Sequence, residues 1–140
     1  MRLHLSVDLP EDLALLPRLR RTIREALNLC RIAAEDVDEL ELVIGELATN
    51  AACHSGADRY QVCIVLADGQ VITTVADTGA GFRRDVVPPR GTVRAGYNGE
   101  GRVGGWGLPL VELLSDEVAF VSAHPHGTTV RAVKNLRALP

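Results

Sequence analysis

Residues 34–54, AEDVDELELVIGELATNAACH, carry the pattern that decides the fold. Apolar residues recur along this stretch at alternating three- and four-residue spacings: Val37, Leu40, Ile44, Leu47 and Ala51. That spacing puts them on one face of an α-helix. The stretch is therefore predicted to form a long helix over residues 34–54 whose apolar face covers a core.

A polar row runs along the same predicted helix. Glu46, Asn50 and His54 are four residues apart, so they lie above one another beside the apolar stripe. Two interpretations of this row are open. It is either a polar margin tied to the backbone, or a carboxylate and an amide oxygen presented to a metal–phosphate group. In the second case the Glu is a hard oxygen ligand or a base, and the Asn supplies a neutral oxygen suited to Mg²⁺.

The rest of the chain follows the two periodicities of helices and strands. They predict helices over 17–29 and 106–114, and strands over 2–7, 59–67, 70–76, 117–122 and 128–133. Asp8 and Pro10 are expected to end the first strand, and Asp68-Gly69 is a strong hairpin turn. The helices do not follow every strand, which favours an α+β fold with helices on one face of a mixed, mostly antiparallel sheet.

Composition narrows the functional class. The chain has 140 residues, 46% of them hydrophobic, so residues 1–140 are expected to form one domain. A net charge of −3 argues against non-specific nucleic-acid binding, and no apolar run is long enough for a membrane span. Three cysteines in apolar runs, Cys30, Cys53 and Cys63, suggest buried thiols in a reducing cytoplasm.

Glycine-containing motifs follow one predicted strand and precede the third helix. Asp77-Thr78-Gly79-Ala80-Gly81 is either a plain turn or a close backbone approach to a ligand, with Asp77 as a charged acceptor. Gly104-Gly105-Trp106-Gly107-Leu108 is either a flexible loop end or a helix start whose N–H groups face a phosphate. Gly99, Gly101 and Gly104 match G-x-G-x-x-G, but no strand precedes them, so a dinucleotide site is rejected.

Taken in order, these motifs resemble the gyrase/Hsp90/histidine-kinase/MutL superfamily of ATP-binding proteins. The stretch from Glu46 to His54 is similar to the form found in stand-alone anti-sigma-factor serine kinases of bacteria. The resemblance covers nearly the whole chain. It implies a Bergerat-type two-layer sandwich, with residues 83–104 as the ATP lid.

The resemblance also implies roles for individual residues. Glu46 is expected to act as general base, and Asn50 to hold the Mg²⁺ that bridges the phosphates of ATP. Asp77 is expected to accept from the adenine amino group, supported by Thr128. Further nucleotide-site residues are expected at Gly79, Gly81, Arg102, Gly105, Gly107 and Leu108.

Some of these residues have a second interpretation. Arg102 either neutralises charge during phosphoryl transfer or is a solvated loop charge. His54 either contacts the ligand or stabilises the C-terminus of its helix. Four arginines of the first helix form either a solvated face or a docking surface for an acidic partner: Arg18, Arg20, Arg21 and Arg24.

The expected function is that of an ATP-dependent anti-sigma factor that phosphorylates a serine on an anti-anti-sigma partner, with ATP and Mg²⁺ and possible homodimers. A histidine kinase needs a separate phosphoacceptor domain, and the gyrase, MutL and Hsp90 branches need a transducer domain; neither fits in 140 residues. Two alternatives stay open: a non-catalytic ATP-binding regulator, and an isolated histidine-kinase-like ATPase core.

Overall fold

The computed structural model describes residues 2–54, 59–77, 104–122 and 127–137. These residues form the following strands and helices, in chain order: β1 (Leu3–Pro10), α1 (Leu16–Leu29), α2 (Ala34–His54), β2 (Arg59–Ala67), β3 (Gln70–Asp77), α3 (Gly104–Leu114), β4 (Glu117–Ser122) and β5 (Thr128–Asn135). A short 3-10 turn over Leu13–Leu15 leads into α1.

The strands form one sheet in the order β1-β2-β3-β5-β4. All four ladders between these strands are antiparallel, so the described part of the sheet contains none of the parallel pairing that a mixed sheet allows. The buried residues of β2 and β3 alternate along each strand and join the helices in one core. The predicted α+β fold, with helices on one face of the sheet, is confirmed.

The β2–β3 hairpin sets the register of the sheet. Asp68 and Gly69 both have positive φ, at 53° and 75°. Two such residues in a two-residue loop match the twist of antiparallel strands, which is the reason that Asp-Gly is favoured there. The resulting register places Tyr60, at the start of β2, directly opposite Asp77, at the end of β3.

Strand β1 is longer than predicted. It continues through Asp8 to Pro10, which pairs with Arg59 of β2. The expectation that Asp8 and Pro10 end the strand is therefore wrong. β1 lies at the edge of the sheet, and proline is tolerated on an edge strand because one side of that strand makes no ladder hydrogen bonds.

The core lies between the sheet and α2. Helix α1 packs on α2 through four buried residues: Leu16, Leu19, Ile23 and Leu27. Helix α2 contributes Val37, Leu40, Ile44 and Leu47, the stripe seen in the sequence, and each is at most 2% exposed. Helix α3 packs beside α2 with Leu108 and Val111 buried. This arrangement fixes α2 as the central element above β2 and β3.

A charge cluster joins the first turns of α2 to the end of β5; it consists of Asp36, Glu39, Lys134 and Arg137. Asp36 has no exposed surface and accepts from the backbone N–H of Arg137 at 2.9 Å and from its guanidinium. Lys134 Nζ lies 3.9 Å from Asp36 Oδ1 and pairs with Glu39. The cluster fixes the start of α2 at the carboxyl end of β5.

Candidate functional site

The predicted polar row lies in the second half of α2. Glu46 and Asn50 are half-buried, next to the buried stripe residue Leu47. Neither makes a hydrogen bond to another residue that the structure describes, whereas the neighbouring Thr49 donates from Oγ1 to the Gly45 carbonyl at 2.7 Å. The carboxylate and the amide are therefore available to an external group. His54 is the last residue of the helix.

Burial and one positive charge act on Glu46 in opposite directions. Burial raises the pKa of the Glu46 carboxyl above its ordinary value, because the charged form loses hydration. The Arg20 guanidinium of α1 acts the other way and lowers this pKa. A carboxyl group between two such influences is a common feature of general bases, though ion pairs with a structural role show it as well.

Two further candidate residues meet at neighbouring strand ends. Asp77 is the last residue of β3, and Thr128 is the first of β5. Ala76 pairs with Thr129, so Asp77 and Thr128 are at the next position of the same antiparallel ladder. Directly opposite residues of an antiparallel pair project from the same face. The structure thus places these two predicted nucleotide contacts side by side on the helix-facing side of the sheet.

The polar row of α2 lies at this same end of the sheet. The charge cluster fixes the first turn of α2 at the far end of β5. From Asp36 to Asn50 the helix rises about 21 Å, and from Lys134 back to Thr128 the strand spans about 20 Å. Cys53, near the end of α2, is also close enough to influence the pKa of Tyr60, which is opposite Asp77. Asn50 and the Asp77–Thr128 pair therefore lie at the same end.

Two buried hydroxyl groups at this end have no hydrogen-bond partner among the residues that the structure describes: Tyr60 Oη and Thr128 Oγ1. The residues that carry them are only 2% and 4% exposed. Buried polar atoms in native proteins are almost always paired, and an unpaired one costs about 1–3 kcal/mol. These two atoms therefore mark places where a ligand or a bound water molecule can complete the hydrogen bonding. Burial, and the nearby charges of Asp12 and Cys53, raise the pKa of the Tyr60 hydroxyl.

Helix α3 supplies the backbone donors that the sequence suggested. It begins at Gly104, two residues before the predicted start at Trp106, so Gly105 and Gly107 lie in its first turn. The first four N–H groups of a helix have no partner within the helix, and the positive end of the dipole lies there. This geometry suits an anionic group, as expected for phosphate. Leu108 is buried in the core and holds this turn in place.

Several of the predicted site residues lie in parts of the chain that the structure does not describe. Gly79, Gly81 and Arg102 lie outside the described residues, as does the expected lid apart from Gly104.

The described residues contain no cluster of three or more His, Cys, Asp or Glu side chains that could hold a metal ion. An Mg²⁺ site would therefore need oxygen ligands from the phosphates as well as from Asn50. None of the helices in the described ranges is both long and apolar enough to span a bilayer.

Tyr60 and Arg20 are site features that the sequence reasoning missed. Tyr60 alternates with the apolar residues of β2 and carries no motif of its own, although the Asp68-Gly69 turn implies that it faces Asp77. Arg20 belongs to the predicted arginine face, but its contact with α2 has no local sequence signal. Arg24 of that face is bound to Asp38 and Glu41 of α2. Arg18, Arg20 and Arg21 stay exposed.

A family model described as "Histidine kinase-like ATPase domain" matches residues 9–134. No curated protein sequence matches the chain at a significant level. Among solved structures, the RsbU and RsbW domains of Rv1364c from Mycobacterium tuberculosis are similar, with a TM-score of 0.71, 24% identity and 96% of this chain covered. The match spans only 32% of the length of that chain.

Two further structures share the fold. The SiaB–SiaC complex from Pseudomonas aeruginosa gives a TM-score of 0.70 at 17% identity, over 92% of this chain and 88% of that chain. The mycobacterial sensor histidine kinase MprB gives 0.51 at 17% identity, over 96% and 99% of the two chains. At these identities the likeness is one of fold.

Proposed function

The chain belongs to the histidine kinase-like ATPase domain family, and from that premise we propose that it binds ATP with Mg²⁺ and phosphorylates a serine of a protein partner. The proposed physiological role is that of a cytoplasmic anti-sigma factor acting on an anti-anti-sigma protein. Residues 1–140 form the proposed kinase domain, with residues 83–104 as its lid.

One observation carries the nucleotide proposal. Thr128 Oγ1 is buried without a partner in the described ranges, and it lies beside Asp77 at the same end of the sheet as Glu46 and Asn50. An adenine base offers both an amino donor for the Asp77 carboxylate and ring nitrogens that accept hydrogen bonds from a hydroxyl or a bound water molecule. The residues present therefore fit a purine. The neutral amide oxygen of Asn50 fits Mg²⁺ held mainly by phosphate oxygens.

The phosphates have their own proposed contacts. The first-turn N–H groups of α3, at Gly105 and Gly107, would donate to phosphate oxygens. Asn50 would hold Mg²⁺, which when bound supplies charge neutralisation to the phosphates. Gly79, Gly81 and Arg102 are proposed to line the same site on the strength of the sequence resemblance.

Glu46 is the proposed proton acceptor. In the transfer step, the serine Oγ forms a bond to the γ-phosphorus while the bond from that phosphorus to its bridging oxygen breaks, and ADP leaves. The hydroxyl proton of the serine passes to the Glu46 carboxylate. This requires Glu46 to be ionised before the transfer; burial opposes that ionisation, and the Arg20 guanidinium favours it.

A protein partner is in keeping with the fold likeness to SiaB, whose structure was solved in a complex with SiaC. The proposed docking surface on α1 is smaller than the sequence suggested. Arg24 is engaged by Asp38 and Glu41 within the chain. Arg18, Arg20 and Arg21 are exposed and are the proposed contacts for acidic groups of the partner.

The test is transfer of radiolabelled γ-phosphate from ATP to an anti-anti-sigma protein of the same genome, in the presence of Mg²⁺. Acid-stable label on a serine is expected with the wild-type protein and is expected to disappear with Glu46→Ala. Glu117→Ala, which removes an exposed carboxylate from β4 at the far end of the sheet, is the matched control and should transfer normally.

Other results would change the assignment. Calorimetric binding of ATP without transfer to any partner would point to the non-catalytic regulator. Acid-labile label would point to a histidine phosphoacceptor on a companion protein. Absence of ATP binding would contradict the proposal altogether.

A further inference from the structure

A thiol and an imidazole are in contact on the face of the sheet that points away from the helices. Cys63 Sγ of β2 lies 3.4 Å from His4 Nε2 of β1. Leu3 and Leu5, the neighbours of His4 along β1, pack against the core, so His4 projects from the opposite face. Ser6 is directly opposite Cys63 in the ladder and two residues from His4, which makes the thiol and the imidazole diagonal neighbours on one surface.

Both side chains are accessible from solvent. His4 is exposed, and Cys63 is a partly exposed free thiol. The expectation from the sequence that Cys63 is buried is therefore wrong, because its position in β2 alternates with the positions that face the helices. Since β1 is an edge strand, the pair lies at the margin of the sheet, where another molecule can approach it.

The separation of the two atoms matches that of two ligands on one tetrahedral zinc ion. Zinc in proteins binds histidine nitrogen at about 2.0–2.1 Å and cysteine sulfur at about 2.3 Å. With a tetrahedral angle between these bonds, the two ligand atoms are about 3.5 Å apart, which is close to the 3.4 Å between His4 Nε2 and Cys63 Sγ. An S–H···N hydrogen bond gives a similar distance, but a thiol is a weak donor. The pair can therefore bind the ion with little movement of either side chain.

The surroundings of the pair are close to neutral and supply no further ligand. The side chains next to it on this face are uncharged: Ser6, Val65 and Thr74. Arg2 and Asp8, further along the chain on either side, carry opposite charges. Within the described ranges, no group of three His, Cys, Asp or Glu side chains could hold a metal ion. Structural zinc sites use four protein ligands, so one chain supplies half of such a site.

We propose that His4 and Cys63 form half of a zinc-binding site that a second copy of this chain completes. Two copies related by a two-fold axis present the same pair to each other, which gives two histidine and two cysteine ligands from one sequence. On binding, Zn²⁺ forms four ligand bonds, and each thiol releases its proton to solvent. This site is on the face of the sheet opposite to the proposed nucleotide site, and the inference does not depend on the proposed function.

The experiment measures the zinc content and the oligomeric state of the full chain, reduced and without an affinity tag. Equilibrium dialysis against Zn²⁺ is expected to load one ion per two chains. The dissociation constant of the dimer, from sedimentation equilibrium, should fall about tenfold or more when Zn²⁺ replaces EDTA. Co²⁺ in place of Zn²⁺ should give the absorption bands of thiolate ligation in a tetrahedral field. Because the comparison is between dimerisation with and without metal, a dimer that forms through another surface does not disturb the test.

Two variants each remove one ligand from a surface position, so both are expected to fold. His4→Gln and Cys63→Ser should each abolish the effect of Zn²⁺ on the dissociation constant and the tetrahedral Co²⁺ spectrum. Cys53→Ser removes another partly exposed thiol, near the end of α2, and is the matched control. It should bind Zn²⁺ and dimerise as the wild type does.

Three results would overturn the proposal. The first is one zinc ion per chain with no change in the dissociation constant of the dimer. The second is undiminished zinc binding in both His4→Gln and Cys63→Ser, and the third is no binding at micromolar free Zn²⁺. None of these measurements involves ATP or phosphate transfer, so the proposed function stands or fails separately.

Discussion

At the start of α2, the buried Asp36 carboxylate is fully engaged, accepting from the backbone and side chain of Arg137 with Lys134 alongside. At the other end, where Glu46, Asn50, Asp77 and Thr128 lie, the buried hydroxyls of Tyr60 and Thr128 have no partner within the described part of the chain. Both ends combine one helix with strand ends of the same sheet. They differ in whether the chain itself completes the hydrogen bonds.

This difference separates a structural polar cluster from the proposed nucleotide site. A buried charge left unpaired would unfold a marginally stable domain, so the charge cluster has to be complete. A binding site has to keep some groups unpaired, because their partners belong to the ligand. Substitutions at the first end should therefore change stability, and those at the second end should change binding.

The largest effect is expected at the charge cluster, whose hydrogen bonds are complete within the chain. Asp36→Ala removes the shared acceptor of Arg137 and leaves the nearly buried Lys134 with one partner fewer, which should lower the free energy of unfolding by about 3 kcal/mol. Urea denaturation measures it. ATP affinity of the folded variant should be unchanged. Glu35→Gln is the control: Glu35 is 78% exposed and lies 3.3 Å from Arg137, so its loss should cost about 0.5 kcal/mol or less.

The next largest effect is expected at Asp77, in the proposed nucleotide site. Asp77→Asn keeps the shape of the side chain but removes its charge, and a hydrogen bond to a charged group contributes about 1.5–3 kcal/mol. ATP affinity, measured by calorimetry, should therefore fall about tenfold or more. Asp68→Asn makes the same change in the hairpin turn at the far end of β3 and should bind ATP normally. Equal affinities for wild type and Asp77→Asn would remove the basis for the adenine contact.

A smaller effect with opposite signs is expected at Thr128. Thr128→Val replaces a buried, unpartnered hydroxyl with a methyl group of similar size. The free energy of unfolding without nucleotide should increase by about 1 kcal/mol, while ATP affinity should fall about fivefold as one hydrogen bond is lost. Denaturation and calorimetry on the same preparation measure both. A loss of stability would mean that the Thr128 hydroxyl is satisfied within the folded protein.

The two ends also differ in how far the sequence predicts them. The long helix over 34–54 and the strands over 59–67 and 117–122 have the predicted bounds, because each has a clear periodicity. At the proposed nucleotide site, the four-residue spacing in the sequence predicts the polar row of α2. The Asp-Gly turn predicts that Tyr60 lies opposite Asp77. Asp36 and Arg137 are 101 residues apart, and no local pattern predicts that contact.

The smallest effect is a pH dependence at Glu46. Because burial is the main influence, the pKa of Glu46 lies above its ordinary value of 4.5, and the folded protein binds a proton more readily than the unfolded chain. Below pH 4.5 the carboxyl is protonated in both states and costs nothing. As pH rises past this value the unfolded chain ionises first, so the buried carboxylate destabilises the fold.

The free energy of unfolding of Glu46→Gln, measured by urea denaturation, should therefore equal that of the wild type at pH 4 and be slightly higher near pH 7. The increase is small because the carboxyl is only half-buried. The difference in unfolding free energy near pH 7 between Glu46→Gln and the protein that keeps Glu46 should increase when Arg20→Gln is also present in both, since the guanidinium then no longer offsets the burial. A gap of constant size from pH 4 to pH 7 would mean that ionisation of Glu46 has no part in it. The substitution would then stabilise the fold through packing alone. The difference in hydrogen bonding between the proposed nucleotide site and the charge cluster would rest on the hydroxyls of Tyr60 and Thr128.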